Sequence, residues 1–429
     1  MYNITFKYFL IFLCTALSLV CTFNYVKNNE KADLWCTTIG SRIIVEKKQS
    51  PYYFKWNWNT DKRYVDPTDD NMHPVSRVTF TPFFAIIFYV FAWIDMEVLK
   101  WVCYVFTWIV LLFIYLKEGF FDLNKTNNVL FFSIFIINAT AWWIHCSEGQ
   151  KYILFLLLLY GIYKAILKPD YTILSIFLGV LVLIRPNSIL SVAFLFFIFG
   201  FKHFRKQVVG LFLVAVLFLL STAIADKTIW SDYFSAMHLY SIYGLGEMPV
   251  LDEYFKNPIG LNVKATEFPF DYSLRHNNSG VQRWFYKILG WKLYKEQLFA
   301  LYSFIALSVI IVCKKLKLNF DKPENLFLVF FFLYITSEYF IPASRLPYYY
   351  VQWFFPIILM LKSYQKMNKL IQGLFWVGLS LNTIFLSFIP FGQIIGELCI
   401  LFCLLYLILK ESMFFELVLK IVKNPNNTQ

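Results

Sequence analysis

Apolar runs of roughly 14–20 residues follow one another along almost the whole chain, separated by short polar breaks. Within a run the apolar residues are continuous and do not alternate at period two. That pattern predicts helices, because only helices or closed barrels satisfy every backbone polar group in lipid. The opening run, Tyr8 to Val26, is long for a signal-peptide core, and no small-x-small cleavage site follows it. It reads as a retained span. The expected fold is an all-α polytopic membrane protein of about 12 transmembrane helices. Two long polar stretches divide it: a first span over 1–26, a polar segment over 27–100, a membrane core over 101–225, a second polar segment over 226–297 and C-terminal spans over 298–429. Together these form one integral membrane domain.

Charge sets the expected orientation. If all of the roughly 13 apolar runs cross, the basic loops fall on both sides. If Phe80 to Ile94, entered through Thr81-Pro82 and closed by Asp95 and Glu97, is instead re-entrant or interfacial on the outer face, the parity is restored. Every inner loop is then basic: Lys117 and Lys125; Lys164 and Lys168; Lys202, Arg205 and Lys206; Lys314, Lys315, Lys317 and Lys322; Lys362, Lys366 and Lys369; Lys410, Lys420 and Lys423. This predicts both termini in the cytoplasm, in a multi-pass protein of the cytoplasmic (inner) membrane. The two polar segments then lie outside, rich in the Tyr and Trp of an interfacial belt.

Composition agrees. The chain is 59% hydrophobic and only 15% charged, against about 25% charged in soluble domains. Its net charge of +12 follows from the positive-inside bias, so no nucleic-acid partner is implied. Most of the eight cysteines lie inside apolar runs and read as small buried hydrophobes; Cys36 and Cys146 sit where a disulfide is conceivable. No P-loop, GxSxG, HExxH or dinucleotide fingerprint is present.

Candidate chemistry lies on the expected outer face, where the cations Arg185, Arg345 and Lys151 go against the bias. Asp33 follows the first span, and a carboxylate there reads as a general base or as an ordinary helix-start acid paired with Lys31 or Arg42. Arg185 in Ile184-Arg185-Pro186-Asn187 and Arg345 in Ser344-Arg345-Leu346-Pro347 suit a bound phosphate through the planar guanidinium fork, or else snorkel to headgroups. Lys151, after Glu148-Gly149-Gln150, is a third such cation. Trp142, Trp143, His145 and Glu148 at one helix end suggest a sugar-binding ledge, or an aromatic belt. Asp66, Asp69, Asp70 and His73 offer oxygen and nitrogen donors for a divalent ion, or form a solvated turn. In the second polar segment Gly244, Gly246, Asp252, Glu253, Arg275 and His276 have no recognisable spacing.

In order and placement these features resemble the GT-C membrane glycosyltransferases, and among them glycosyltransferase family 87. The resemblance runs through Asp33, then Gly40-Ser41-Arg42, Ser50-Pro51-Tyr52, Thr81-Pro82, Gly149-Gln150 and Arg185-Pro186-Asn187, and is strongest over 27–210. The late loop carries Tyr348-Tyr349-Tyr350 where members often have histidine, and a single Pro82 where they have a pair. The resemblance implies a polyprenyl-phosphate-linked sugar as donor, a lipid or glycan acceptor and membrane lipids as partners. It implies inversion, with Asp33 as base and Arg185, Arg345 and Lys151 at the donor phosphate. Arg42, Tyr52, Trp142, His145, Glu148, Gln150, Asn187 and Tyr348 would contact substrate. No cofactor is required by this scheme, and a divalent metal is left open. The alternatives are an O-antigen-type polysaccharide polymerase, a flippase or transporter for lipid-linked sugars, and a structural membrane subunit.

Overall fold

The computed structural model describes residues 2–28, 32–67, 75–120, 126–168, 170–199, 204–243, 280–315, 322–341 and 345–410. Asp69, Asp70, His73 and the six residues singled out between Gly244 and His276 lie outside the described residues. Within them the helices, numbered in chain order, are α1 (Tyr2–Asn28), α2 (Ala32–Arg42), α3 (Pro82–Phe88), α4 (Met96–Lys117), α5 (Thr126–Phe131), α6 (Thr140–Glu148), α7 (Tyr152–Leu167), α8 (Tyr171–Ile184), α9 (Ile189–Phe199), α10 (Phe204–Ile224), α11 (Ile229–Tyr243), α12 (Val281–Leu289), α13 (Lys295–Lys315), α14 (Pro323–Tyr339), α15 (Phe354–Lys362), α16 (Lys369–Leu381) and α17 (Gly392–Lys410). The extended contribution among the described residues is one antiparallel bridge, Ala139 to Thr383.

Helix ends follow the local sequence. Asp95 caps α4 by accepting from the Glu97 N–H, and Lys117 closes its last turn. Asp170 caps α8 through Thr172 and Ile173, and Pro186 stops that helix just beyond its end. Asn368 caps α16 through the Ile371 N–H at 2.9 Å. Each cap supplies an acceptor for N–H groups that have no partner inside the helix.

Among the described residues five helices are long and apolar enough to cross a membrane: Thr5–Asn28, Met96–Lys117, Arg205–Ile224, Lys295–Cys313 and Gly392–Lys410. A sixth crossing results if α6 and α7, bent by 117° at their junction, are taken together. Other apolar runs fold as shorter helices, among them Pro82–Phe91, Tyr171–Ile184 and Lys369–Leu381. At 1.5 Å per residue these span roughly 15–21 Å, short of a hydrocarbon core of about 30 Å. Apolar runs that Pro or Gly breaks fold as shorter helices, so length and composition among the described residues give five or six candidate crossings.

The core is centred on α14. From Leu326 to Tyr339 almost every side chain is buried, as expected for a helix surrounded by others. It packs against α7, α9 and α17. Next to it α16 and α17 pair closely, because Gly378 and Gly396 face one another: a Cβ on Gly378 would meet the Gly396 carbonyl oxygen at 2.8 Å. At the far end of α7, Glu118 binds Lys164 at 2.7 Å and Lys362 at 2.5 Å, joining the ends of α4, α7 and α15. None of the eight cysteines is in a disulfide, so the Cys36–Cys146 bond is not formed.

Candidate active site

The break between α6 and α7 organises the site. Gly149 takes φ +62°, the left-handed conformation that ends α6. The same glycine lies against α2, where an added Cβ would meet the Leu34 Cβ at 2.9 Å. Asp33 is therefore held beside the break, in the first turn of α2, where the helix dipole favours an anion.

Lys151 reaches α2 from the break. Its Nζ donates to Thr37 Oγ1 at 3.3 Å and lies 4.4 Å from the Phe80 ring and 4.9 Å from the Phe84 ring. Those rings come from the entry to α3, where Thr81 caps and Pro82 sets the first turn. Burial in this slot pushes the Lys151 ammonium down to about 8, against the pull of nearby Asp33. Burial pushes the Asp33 carboxyl above the ordinary carboxylate range; Lys151 and Arg77 oppose the shift, and Asp66 adds to it. Cys36 donates its thiol to the Asp33 carbonyl at 3.3 Å, and burial pushes that thiol up to about 12. It is a neutral packing group at physiological pH.

Arg185 closes the other side. Its Nη2 donates to the Tyr152 hydroxyl at 2.5 Å, and its guanidinium lies 4.6 Å from the Phe155 ring and 5.4 Å from the Tyr349 ring. Its Nε is buried with no hydrogen-bond partner. Two residues on, Asn187 donates to Ser337 Oγ at 2.9 Å and to Glu338 Oε1 at 3.0 Å. Tyr348 joins the two sides. It stacks on Tyr349 at 5.5 Å and packs on Tyr152 at 5.3 Å, within electrostatic reach of Asp33, Glu148 and Arg185. Glu148 ends α6 half-buried. The Gln150 backbone N–H donates to the His145 carbonyl at 3.1 Å, while its buried Nε2 has no partner.

Several residues expected at substrate do other work. Arg345 gives Nη1 and Nη2 to the two oxygens of Glu397 at 2.6 and 2.5 Å, both groups buried. Its charge is neutralised within the chain, which corrects the phosphate expectation. Trp142 is wholly buried between Trp108 and Phe354, and His145 accepts the Ile153 N–H on Nε2 at 3.1 Å. These two are interior groups, so the ledge expected from them is not an open surface; His145 instead serves an orphan donor at the start of α7. Arg42 lies at the opposite end of α2 from Asp33, about 13 Å along the axis. It donates to the Ala92 and Arg63 carbonyls, beside a separate knot on Glu46. The buried Tyr52 hydroxyl donates to the Phe80 carbonyl at 2.9 Å, so it positions the Lys151 slot from behind. Among the described residues no group of three or more His, Cys, Asp or Glu is placed to hold a metal ion.

The sequence marks Glu338, with Lys164 and Glu397, as an ionisable exception within the apolar runs but does not assign it to the site, and it does not single out Tyr152 or Arg77. Glu338 had a legible signal, as an ionisable residue at the end of an otherwise apolar helix. Tyr152 and Arg77 had none.

A family model described as Glycosyltransferase family 87 matches residues 79–248. The match takes in Lys151, Arg185 and Asn187, and Asp33, Glu338 and Tyr348 lie outside it. No curated protein and no solved structure matches the chain.

Proposed function

We propose that the chain, which matches the glycosyltransferase family 87 model over residues 79–248, is a membrane glycosyltransferase that moves a sugar from a polyprenyl phosphate to an acceptor hydroxyl, with inversion. The observation that carries this reading is that Lys151 lies in charge range of both Asp33 and Arg185, while Tyr348, packed on the Tyr152 that Arg185 bonds, lies in charge range of Asp33 and Arg185. Asp33 takes the acceptor proton as the acceptor oxygen bonds to the anomeric carbon. The bond from that carbon to the phosphate oxygen breaks, and its electron pair leaves with the phosphate. Arg185 balances the charge that develops there. Little acid help is needed, because phosphate is already a good leaving group.

Lys151 is reassigned from the donor phosphate to Asp33. A buried cation beside a buried carboxylate favours the ionised base. The outer face of the cytoplasmic membrane suits this reading, since the basic loops are expected on the inner side. The chain's 12-span topology belongs to the same proposal. A polysaccharide polymerase would ask for free arginines in the late loop, and the engagement of Arg345 by Glu397 favours the transferase.

The direct test is transfer by purified protein in nanodiscs, from synthetic polyprenyl-phosphate sugars to a panel of lipid and glycan acceptors. Product with the inverted anomeric configuration is expected. Retention of configuration, or activity only with nucleotide-sugar donors, would reject the reading.

A further inference from the structure

Glu338 is fully buried at the end of α14. One carboxylate oxygen is taken by Asn187 Nδ2, and the other, Oε2, has no hydrogen-bond partner. A buried acceptor left unmade costs about 1–3 kcal/mol, more when charged. Arg185 lies in electrostatic reach but forms no ion pair with it, and its own Nε is also buried and unpartnered. The Gln150 Nε2 is a third such atom in the same site. Asn187, two positions after Arg185, fixes Glu338, so an unpartnered acceptor and an unpartnered donor sit on residues joined through Asn187.

A hydroxyl group donates once and accepts twice. Its proton suits Glu338 Oε2, which neither a phosphate nor an apolar tail does: a phosphate would leave Oε2 facing a like charge, and an apolar tail would leave it unpaired. We propose that Glu338, held by Asn187 and Ser337, reads a hydroxyl of the transferred sugar and is a specificity-determining residue of the donor site. This rests on the glycosyltransferase reading above and adds the sugar contact to it. A site built to bond a hydroxyl discriminates strongly, because without its partner the buried groups are left unpaired.

The test uses full-length protein in nanodiscs and two kinds of probe: farnesyl phosphate alone, and farnesyl phosphate carrying glucose, mannose, galactose or ribose. Glu338→Gln keeps an acceptor for Asn187 and replaces Oε2 by a donor. It is expected to bind bare farnesyl phosphate as well as wild type or better, since a negative charge near Arg185 is gone. It is expected to bind the preferred sugar-bearing probe at least tenfold more weakly. Arg185→Ala should weaken both probes. Equal weakening of both probes by Glu338→Gln, or no change, overturns the assignment. Glu338→Asp keeps the charge and shortens the reach; it serves if the amide variant does not fold, and undiminished sugar preference in it overturns the assignment equally. Wild type that binds both kinds of probe alike and transfers no sugar would overturn the donor reading and this one together. Transfer by wild type with indifference to Glu338 overturns the sugar contact alone.

Discussion

Arg345 and Glu397, fifty-two positions apart in the chain, meet as a buried two-bond ion pair at 2.6 and 2.5 Å. Trp353 Nε1 donates to the same carboxylate at 2.7 Å. The pair ties the start of the Pro347–Trp353 turn to α17, and that turn carries Tyr348 and Tyr349 into the site. Breaking such a pair from one side costs about 3–5 kcal/mol, because the other charge stays buried alone. Arg345→Met should lower the melting temperature markedly, and adding Glu397→Leu should restore part of the loss. A single variant that melts like wild type would show that the pair does not hold the turn.

Asp33→Asn is nearly isosteric and keeps the start of α2. Loss of the base should reduce transfer by about 10²–10⁴-fold with the melting temperature unchanged. Near-normal turnover in this variant would remove Asp33 from the mechanism.

The pH profile follows from two opposite shifts. The Asp33 carboxyl is raised by burial, so as pH falls it takes up its proton, and is lost as a base, sooner than an ordinary carboxylate. Lys151 is lowered to about 8, so its charge disappears as pH rises through that value. A bell-shaped kcat/KM is expected, with the alkaline limb near 8. Lys151→Arg keeps the cation charged well beyond this range and should carry the limb to higher pH. An alkaline limb that stays in place in that variant would assign it to another group.

How much of this was legible beforehand depended on the kind of signal. Helical membrane class followed from continuous apolar runs; Arg185 stood out because a cation on the expected outer face opposes the charge bias, and Asp33 because it follows the first span. Arg345 stood out for the same reason and proved to be paired: Glu397 lies in a different apolar run, and no local spacing joins the two. Trp142 and His145 looked like a surface because they end a helix. That end turns inward at Gly149 and packs against α2, and such a bend depends on tertiary contacts with Leu34. Helix breaks likewise hid in runs that looked long enough to cross.

Gly149→Ala tests that contact. A non-glycine residue in the left-handed region costs roughly 1–2 kcal/mol, and the new methyl would press on Leu34 beside Asp33. Both melting temperature and transfer should fall, with kcat falling further than KM rises because the base moves relative to its substrate. A change in KM alone would place the contact outside the reaction centre.

The 117° turn between α6 and α7 has one more result. Backbone N–H groups at a helix start have no partner within the helix and need one from elsewhere. Here the peptide groups after the turn are looked after by His145 from inside. Polar groups thus sit beside apolar helices on the same short stretch of chain, which is the juxtaposition that the proposed donor, a polar head on a hydrocarbon anchor, requires.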